Sequence, residues 1–567
     1  MNKIKGFIYF FILVLITLLM TVCSVPSGGS GGGDGGSGGP TLETVSAEEP
    51  DGDSGTWTIL IHFAIDNNID YSFEENYGIV TNYLNTLESV EAADTSNRVK
   101  ILVLMDGYKS LNFTDGYYRL TGGSFSSDRV LPIDGGISGE VNSGDTATTE
   151  AFMDWVVTNY PSDHYMYSVF NHGSGFDDKT TSGTYSTYAI GLDNTNFDCL
   201  THYELGVVTA YLKGKIGKNI DLFYPYACLM GGVELAYEIR SSVNYLLFSE
   251  QTFPADYWSY EALNAILSST KTSGKGIGKA FCSSAYNYFT FTASRNFTLS
   301  LIDISHIGDL RDDINTYATS ALAQIGSTAA IAAYYNTAAS NSFKMDSSYY
   351  IDLGDYLKNV IASSNISSTA KTNAGSVQTE ISNSVIYQRQ RGYPNATGIT
   401  IFHNIWGSAY YFDPATYQTV LTFDDTSWDE YMITLSNLDT STITPDSYEA
   451  DNSQTQATLI TVDGAIQSHN LHATDDMDLV KVVLSTTGIY TFDTYADGVL
   501  TTTDTMLRLY DSNLSLITYN DDISFPSNLY SKIIYNCTTA GTYYLLVHTF
   551  SNSNAGYYVI RARSGSH

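Results

Sequence analysis

An open α/β sheet with flanking helices, followed by an antiparallel β-sandwich, is the architecture this sequence predicts. Two apolar runs end in motifs of small residues. Residues 165–170 lead into Asn171-His172-Gly173-Ser174-Gly175, and residues 220–224 lead toward Ala227-Cys228-Leu229-Met230-Gly231-Gly232. His172 and Cys228 stand 56 positions apart, room for one helical crossover between neighbouring parallel strands. After Met432 the pattern changes to short alternating apolar and polar runs separated by turns, the signature of a sandwich.

The elements follow in order. Lys3 and Lys5 precede an apolar stretch, residues 7–22, that ends at Cys23, so residues 1–23 read as a targeting segment. Residues 24–54 read as a linker, because 26–40 is almost all Gly and Ser and behaves as a flexible coil. Residues 55–436 form the α/β domain and residues 445–567 the sandwich. Its strands are expected at 479–484, 488–494, 506–510, 531–535, 543–548 and 557–561.

His172 and Cys228, each leaving a buried strand beside small residues, are the parts of a thiol nucleophile and its base. In an open α/β sheet such chemistry collects at the carboxyl ends of strands. A thiolate attacks; an imidazole stabilises it and later protonates the leaving amine. Small residues let backbone N–H groups approach a substrate carbonyl, and those of Gly173 and Cys228 are the candidate oxyanion donors.

Residues 57–432 resemble the clostripain family of cysteine peptidases, relatives of caspases, gingipains, legumain and separase. The stretch from Trp57 through Asp66-Asn67-Asn68-Ile69-Asp70 is similar to that family's opening strand and turn, and 99–107 to its second strand. Residues 139–161 resemble the helix entering the His strand, and 190–193 with 200–205 the segment between His and Cys. Residues 398–402 and 427–431 resemble the closing strand and helix. The resemblance implies a caspase-like sheet and a His172–Cys228 catalytic dyad that needs no cofactor. It implies protein or peptide substrates and an acyl-thioenzyme. It also implies cleavage into two chains between the dyad residues, where Lys179 is the only Lys or Arg from 172 to 198.

One position departs from the family. Its members carry Asp two residues before the nucleophile, lining a pocket for Arg or Lys; here that residue is Tyr226. Losing the carboxylate removes a charge-assisted partner for a guanidinium. Asp256 remains to supply an acid to the pocket, so the preference for a basic P1 residue is weakened rather than implied.

The leader resembles a bacterial lipoprotein signal, with Cys23 as the lipidated residue. The expected address is the cell envelope, anchored to the membrane at the outer surface, or the secreted fraction. The last 120 or so residues resemble the bacterial pre-peptidase C-terminal domain. Asp476, Asp478, Asp521 and Asp522 stand in its turns, and carboxylate oxygens there invite Ca2+. His469 and His472 read as solvated loop residues.

Composition limits the alternatives. Net charge is −33, from 60 acids against 27 bases, so nucleic acid is not a partner: phosphate binding needs a basic face. Five cysteines fit no zinc spacing, and Cys199, Cys282 and Cys537 are too scattered for a disulfide framework. Two further readings use the same residues: an idle surface protein that kept the fold for adhesion, and a transpeptidase in which an amine resolves the acyl enzyme.

Overall fold

A computed structural model describes residues 40–108, 111–125, 129–131, 140–175, 190–257, 260–326, 328–345, 350–403, 421–440, 445–472, 476–495, 504–524, 528–549 and 556–567. Cys23, the rest of the leader and Lys179 lie outside them. No described helix is long and apolar enough to cross a membrane.

Nine strands form the central sheet: β1 (Trp57–Ile65), β2 (Val99–Gly107), β3 (Gly116–Arg119), β4 (Arg129–Leu131), β5 (His164–Phe170), β6 (Ile220–Tyr226), β7 (Val243–Phe248), β8 (Phe297–Asp303) and β9 (Val385–Arg391). Their spatial order is β9-β8-β7-β6-β5-β1-β2-β3-β4. The middle five, β7-β6-β5-β1-β2, run parallel and both edges are antiparallel. Every residue of β1 and β6 is buried, as expected where helices cover both faces of a parallel sheet. The strands split their side chains by alternation into two cores. Leu60, Tyr167 and Phe223 pack on one face; Ile61, Phe170, Leu222, Tyr224 and Tyr226 pack on the other.

The helices that place the His and Cys strands begin at polar caps. In α1 (Thr146–Asn159) the Asp145 carboxylate accepts the Ala147 N–H at 2.9 Å, and the helix delivers the chain to β5. The crossover from β5 to β6 is α2 (His202–Ile216). Thr201 and Glu204 close a reciprocal capping box at its start and Gly217, at φ +73°, ends it.

Two expectations are corrected. The chain joins the fold from Glu43, not from residue 55. Glu43 pairs with Arg389 at 2.5 Å, Ala47 is fully buried, and Glu49 binds Lys279 at 2.6 Å. These contacts follow the Gly/Ser coil because Glu and Ala, unlike Gly and Ser, offer charge and apolar surface to bury. The run 398–402 does not close the central sheet: Thr400–Phe402 pairs with Tyr350–Asp352 in a two-stranded sheet of its own. The edge strand is β9 instead, whose second half, Gln388-Arg389-Gln390-Arg391, is polar, as an edge strand permits.

Two further sheets make the sandwich from β10 (Thr458–Ile460), β11 (Gln467–Leu471), β12 (Asp478–Leu484), β13 (Gly488–Tyr495), β14 (Thr505–Tyr510), β15 (Leu516–Asn520), β16 (Lys532–Cys537), β17 (Gly541–Thr549) and β18 (Gly556–Ser564). Their orders are β10-β12-β17-β14-β15 and β11-β18-β13-β16. Val480, Val482, Leu507, Leu545 and Val547 from one sheet meet Leu471, Phe492, Ile533 and Ile560 from the other. The pairing is antiparallel except β10 with β12.

Candidate active site

Parallel pairing of β5 with β6 sets Phe170 opposite Tyr226. His172 and Cys228 each stand two residues beyond that pair, at the carboxyl ends of adjacent strands. The loops then touch. A Cβ built on Gly173 would lie 2.2 Å from the Cys228 carbonyl oxygen and 2.8 Å from the Ala227 Cβ, so only glycine fits there.

Both loops are fixed by backbone partners. Asn171, 6% exposed, donates its amide to Ala64 O, and its Oδ1 accepts the Leu192 N–H at 3.2 Å. Gly173 is bridged to Ile190. On the other side Leu229 takes φ +58°, a left-handed conformation that costs a non-glycine residue about 1 kcal/mol or more. Its N–H bonds to Gln251 O at 3.2 Å and its side chain is buried, which holds the turn directly after Cys228.

The His172 ring is partly buried, and burial lowers its pKa below the ordinary imidazole value. Its Nε2 lies 2.7 Å from Asn68 Oδ1. An amide oxygen only accepts, so Nε2 carries the proton and Nδ1 is the basic nitrogen. Phe73 packs edge-on against the ring at 5.9 Å. The Cys228 sulfur is half-buried and receives the Phe253 N–H at 3.3 Å, a contact that favours negative charge on sulfur. All four described cysteines are thiols. Cys282 is fully buried and burial raises its pKa steeply, which keeps it protonated.

The pocket residues fall in different surroundings. Tyr226 is 2% exposed and points into the aromatic core, because it shares the parity of Leu222 and Tyr224 along β6. Its ring lies against Tyr83, Phe170, Tyr224 and Phe253, and its hydroxyl donates to Tyr257 O at 2.5 Å. Asp256 follows Phe253 on the loop after β7 and pairs with Arg295 at 3.2 Å.

The sandwich carboxylates divide into two groups. Asp478 converges with Asp446 and His469, and Asp476 with Glu449 and His472. His469 and His472 are therefore not solvated loop residues. His469 is 1% exposed and stacked between Tyr448 and Tyr558, and burial lowers its pKa to about 4. His472 lies 2.5 Å from Asp476 Oδ2 and 3.0 Å from Glu449 Oε1. Their three-residue spacing gave no hint of this, since the acids arrive from residues 446–451. Asp521 and Asp522 interact with Asp504 instead; burial first, then Asp504 and Asp522, raises Asp521 to about 7.

Asn68, Phe253 and Arg295 complete the site without having been assigned a part in it from the sequence. The sequence signal for Asn68 was its place in the turn after β1. None existed for Phe253, which contributes only backbone.

Three comparisons with known proteins bear on these observations. The chain is similar to clostripain of Hathewaya histolytica, at 35% identity over 107 residues, 18% of this chain and 19% of that protein. The aligned segment thus spans about a fifth of the relative's length. Among solved structures, it is similar to a secreted C11 cysteine protease from Bacteroides thetaiotaomicron in complex with an irreversible peptide inhibitor. That match has TM-score 0.47 and 17% identity, covering 66% of this chain and 99% of that one. It is also similar to the pre-peptidase C-terminal domain of collagenase from Bacillus anthracis, at TM-score 0.16 and 15% identity, covering 19% of this chain and 93% of that one. The sequence profile of peptidase family C11, the clostripain family, matches residues 80–441, so the chain belongs to the clostripain family of cysteine peptidases.

Proposed function

We propose that the protein is a cysteine endopeptidase of the bacterial envelope or secreted fraction, with Cys228 as nucleophile and His172 as its base. The observation that carries this reading is the seating of Gly173 on the Cys228 carbonyl, beyond the Phe170–Tyr226 pair, which brings a thiol and an imidazole to one strand-end cleft. His172 Nδ1 takes the thiol proton, and the sulfur attacks the scissile carbonyl carbon. The N–H groups of Gly173 and Cys228 receive the oxyanion. The C–N bond then breaks, His172 returns the proton to the leaving amine, and a thioester remains. Water, deprotonated by His172, attacks that thioester and releases Cys228. None of these steps calls on a metal.

The test is labelling with a thiol-directed peptide probe. The probe is expected on Cys228, and His172→Ala is expected to lose labelling while staying folded. Label on Cys199, or equal labelling without His172, refutes the assignment. The pH profile checks the same residue. A base works deprotonated, and burial lowers the His172 pKa, so the acid limb of kcat/KM is expected on the acid side of about pH 6.5. The limb belongs to the pair.

Of the two candidate pocket residues, Asp256 is the one left to act on specificity, because Tyr226 is committed to the core. Arg295 already neutralises Asp256, but the pair is partly exposed and is worth about 0.2–1 kcal/mol. A P1 Arg would compete with it only weakly, so we infer a modest basic preference. On matched Arg, Lys, Leu and Ala substrates, Asp256→Ala is expected to remove most of the Arg-over-Leu ratio. Arg295→Ala is expected to raise that ratio by about 1.5- to 5-fold. An Arg preference untouched by Asp256→Ala places the pocket elsewhere.

The envelope address is supported by the apolar run 7–22 and by Cys23, and a lipid anchor there is tested by metabolic fatty-acid labelling of Cys23→Ala. Calcium in the sandwich is supported by Asp476 and Asp478, now with Asp446 and Asp451 beside them.

A further inference from the structure

We propose that Tyr350 is a positioning residue for the dyad: its ring stands between the loop that carries His172 and the loop that carries Cys228, and sets the gap between them. The proposal rests on His172 and Cys228 being the reacting pair.

Both loops present glycine to this ring. A Cβ built on Gly175, three residues after His172, would lie 2.5 Å from Tyr350 Cζ and 2.6 Å from its Cε2 and Oη. Gly175 also takes φ +79°, so its backbone and its neighbour both call for glycine. A Cβ on Gly232, four residues after Cys228, would lie 3.8 Å from Tyr350 Cε1, on the other edge of the ring. One edge thus abuts the His loop and the opposite edge faces the Cys loop. The ring cannot drift, because Tyr350 is 2% exposed and belongs to the core that holds Ala227 and Met230.

The backbone beneath the ring is fixed as well. Tyr350 opens the strand 350–352 and stands opposite Phe402, their rings edge-on with centroids 5.6 Å apart. Its carbonyl accepts the Met345 N–H at 3.0 Å. The partner strand is bonded to the Cys loop: the Thr400 N–H donates to Gly231 O and the Phe402 N–H to Glu234 Oε1, each at 2.8 Å. Trp428 Nε1 donates to Phe402 O at 2.8 Å. The two-stranded sheet that stands apart from the central one is therefore a floor under the cleft. Hydrogen bonds tie it to the Cys loop, and the Tyr350 ring carries its hold across to Gly175.

Such a floor has work to do. The β5–β6 pairing ends at Phe170 and Tyr226, two residues short of both reacting groups. Beyond that pair the loops have no ladder to hold their spacing. A nucleophile and its base displaced by about 1 Å lose about 10²-fold in rate.

The experiment uses the full chain as wild type, Tyr350→Phe, Tyr350→Ala, Gly175→Ala and the Tyr350→Ala/Gly175→Ala pair. Alkylation of Cys228 by iodoacetamide is followed against pH and located by mass spectrometry, with kcat, KM and Tm measured beside it. An imidazole in place lowers the apparent thiol pKa below about 8.5. In Tyr350→Ala the alkylation midpoint is expected to rise toward that value, and kcat to fall by about 10²-fold with KM little changed. Tyr350→Phe keeps the ring and is expected to recover most of both. Gly175→Ala drives a methyl into the ring and is expected to lose a similar factor. The pair is expected to lose much less than the product of the two, because the methyl enters the space the ring has left. A Tyr350→Ala protein with lowered Tm but wild-type midpoint and kcat overturns the proposal, and so do losses that multiply in the pair. If Tyr350→Ala fails to fold, Tyr350→Leu, which fills the core but lacks the ring edge, decides. A wild-type midpoint already at about 8.5 refutes the dyad reading itself, and the proposal with it.

Discussion

Replacing Cys228 by alanine is expected to lower peptide hydrolysis by about 10⁴-fold or more, with substrate binding largely retained. The size follows from the chemistry, because no other side chain at the cleft can form the thioester and the steps that depend on it vanish together. The controls are as informative as the variant. Cys199 is 3% exposed on the short strand that precedes α2, and Cys282 is buried against Leu299 O at 3.6 Å. Neither thiol faces the cleft, so Cys199→Ala and Cys282→Ala are expected to keep most activity, at a cost of about 1 kcal/mol of stability for lost packing. Measured kcat/KM on one peptide substrate, with circular dichroism to verify folding, checks all three. Turnover in Cys228→Ala at the wild-type rate eliminates the thioester mechanism.

The strands that carry His172 and Cys228 were legible because they depend on local pattern. A buried parallel strand must be a continuous apolar run, and β2 spans the expected 99–107 to the residue. The sandwich strands announced themselves by alternation and turns, and six were located to within three residues at either end. What escaped were features set by partners distant in sequence. The second half of β9, Gln388-Arg389-Gln390-Arg391, is polar because, among the described residues, this edge strand pairs with β8 alone. His469 looked solvated until residues 446–451 and Tyr558 folded onto it. Tyr226 is the instructive case, since its parity with Leu222 and Tyr224 already pointed it into the core. The comparison with the family's aspartate drew attention to the pocket instead, and alternation along the strand was the stronger guide.

Gly173→Ala is expected to lower kcat by about 10²-fold while leaving the chain folded. The reason is space rather than backbone freedom. The added methyl would stand 2.2 Å from the Cys228 carbonyl oxygen, 2.8 Å from the Ala227 Cβ and 3.1 Å from the Met230 Cγ. None of these can swing aside: one is backbone, Ala227 is 5% exposed and Met230 is fully buried. The loops must part by about 1 Å, a displacement that alone costs about that factor when it separates a nucleophile from its base. Overpacking adds about 1–3 kcal/mol of destabilisation, visible as a lower Tm. Gly214→Ala is the matched control, because it lies in α2 and a methyl added there meets nothing within 4 Å. There the helix gains about 0.5–1 kcal/mol and activity should not change. KM is expected to move little in Gly173→Ala, since Asp256, the proposed P1 contact, lies on a different loop, after β7. A wild-type kcat in Gly173→Ala, with Tm lowered as described, would show that the contact between these loops serves stability alone, and that the reacting groups are aligned by something other than the strand register.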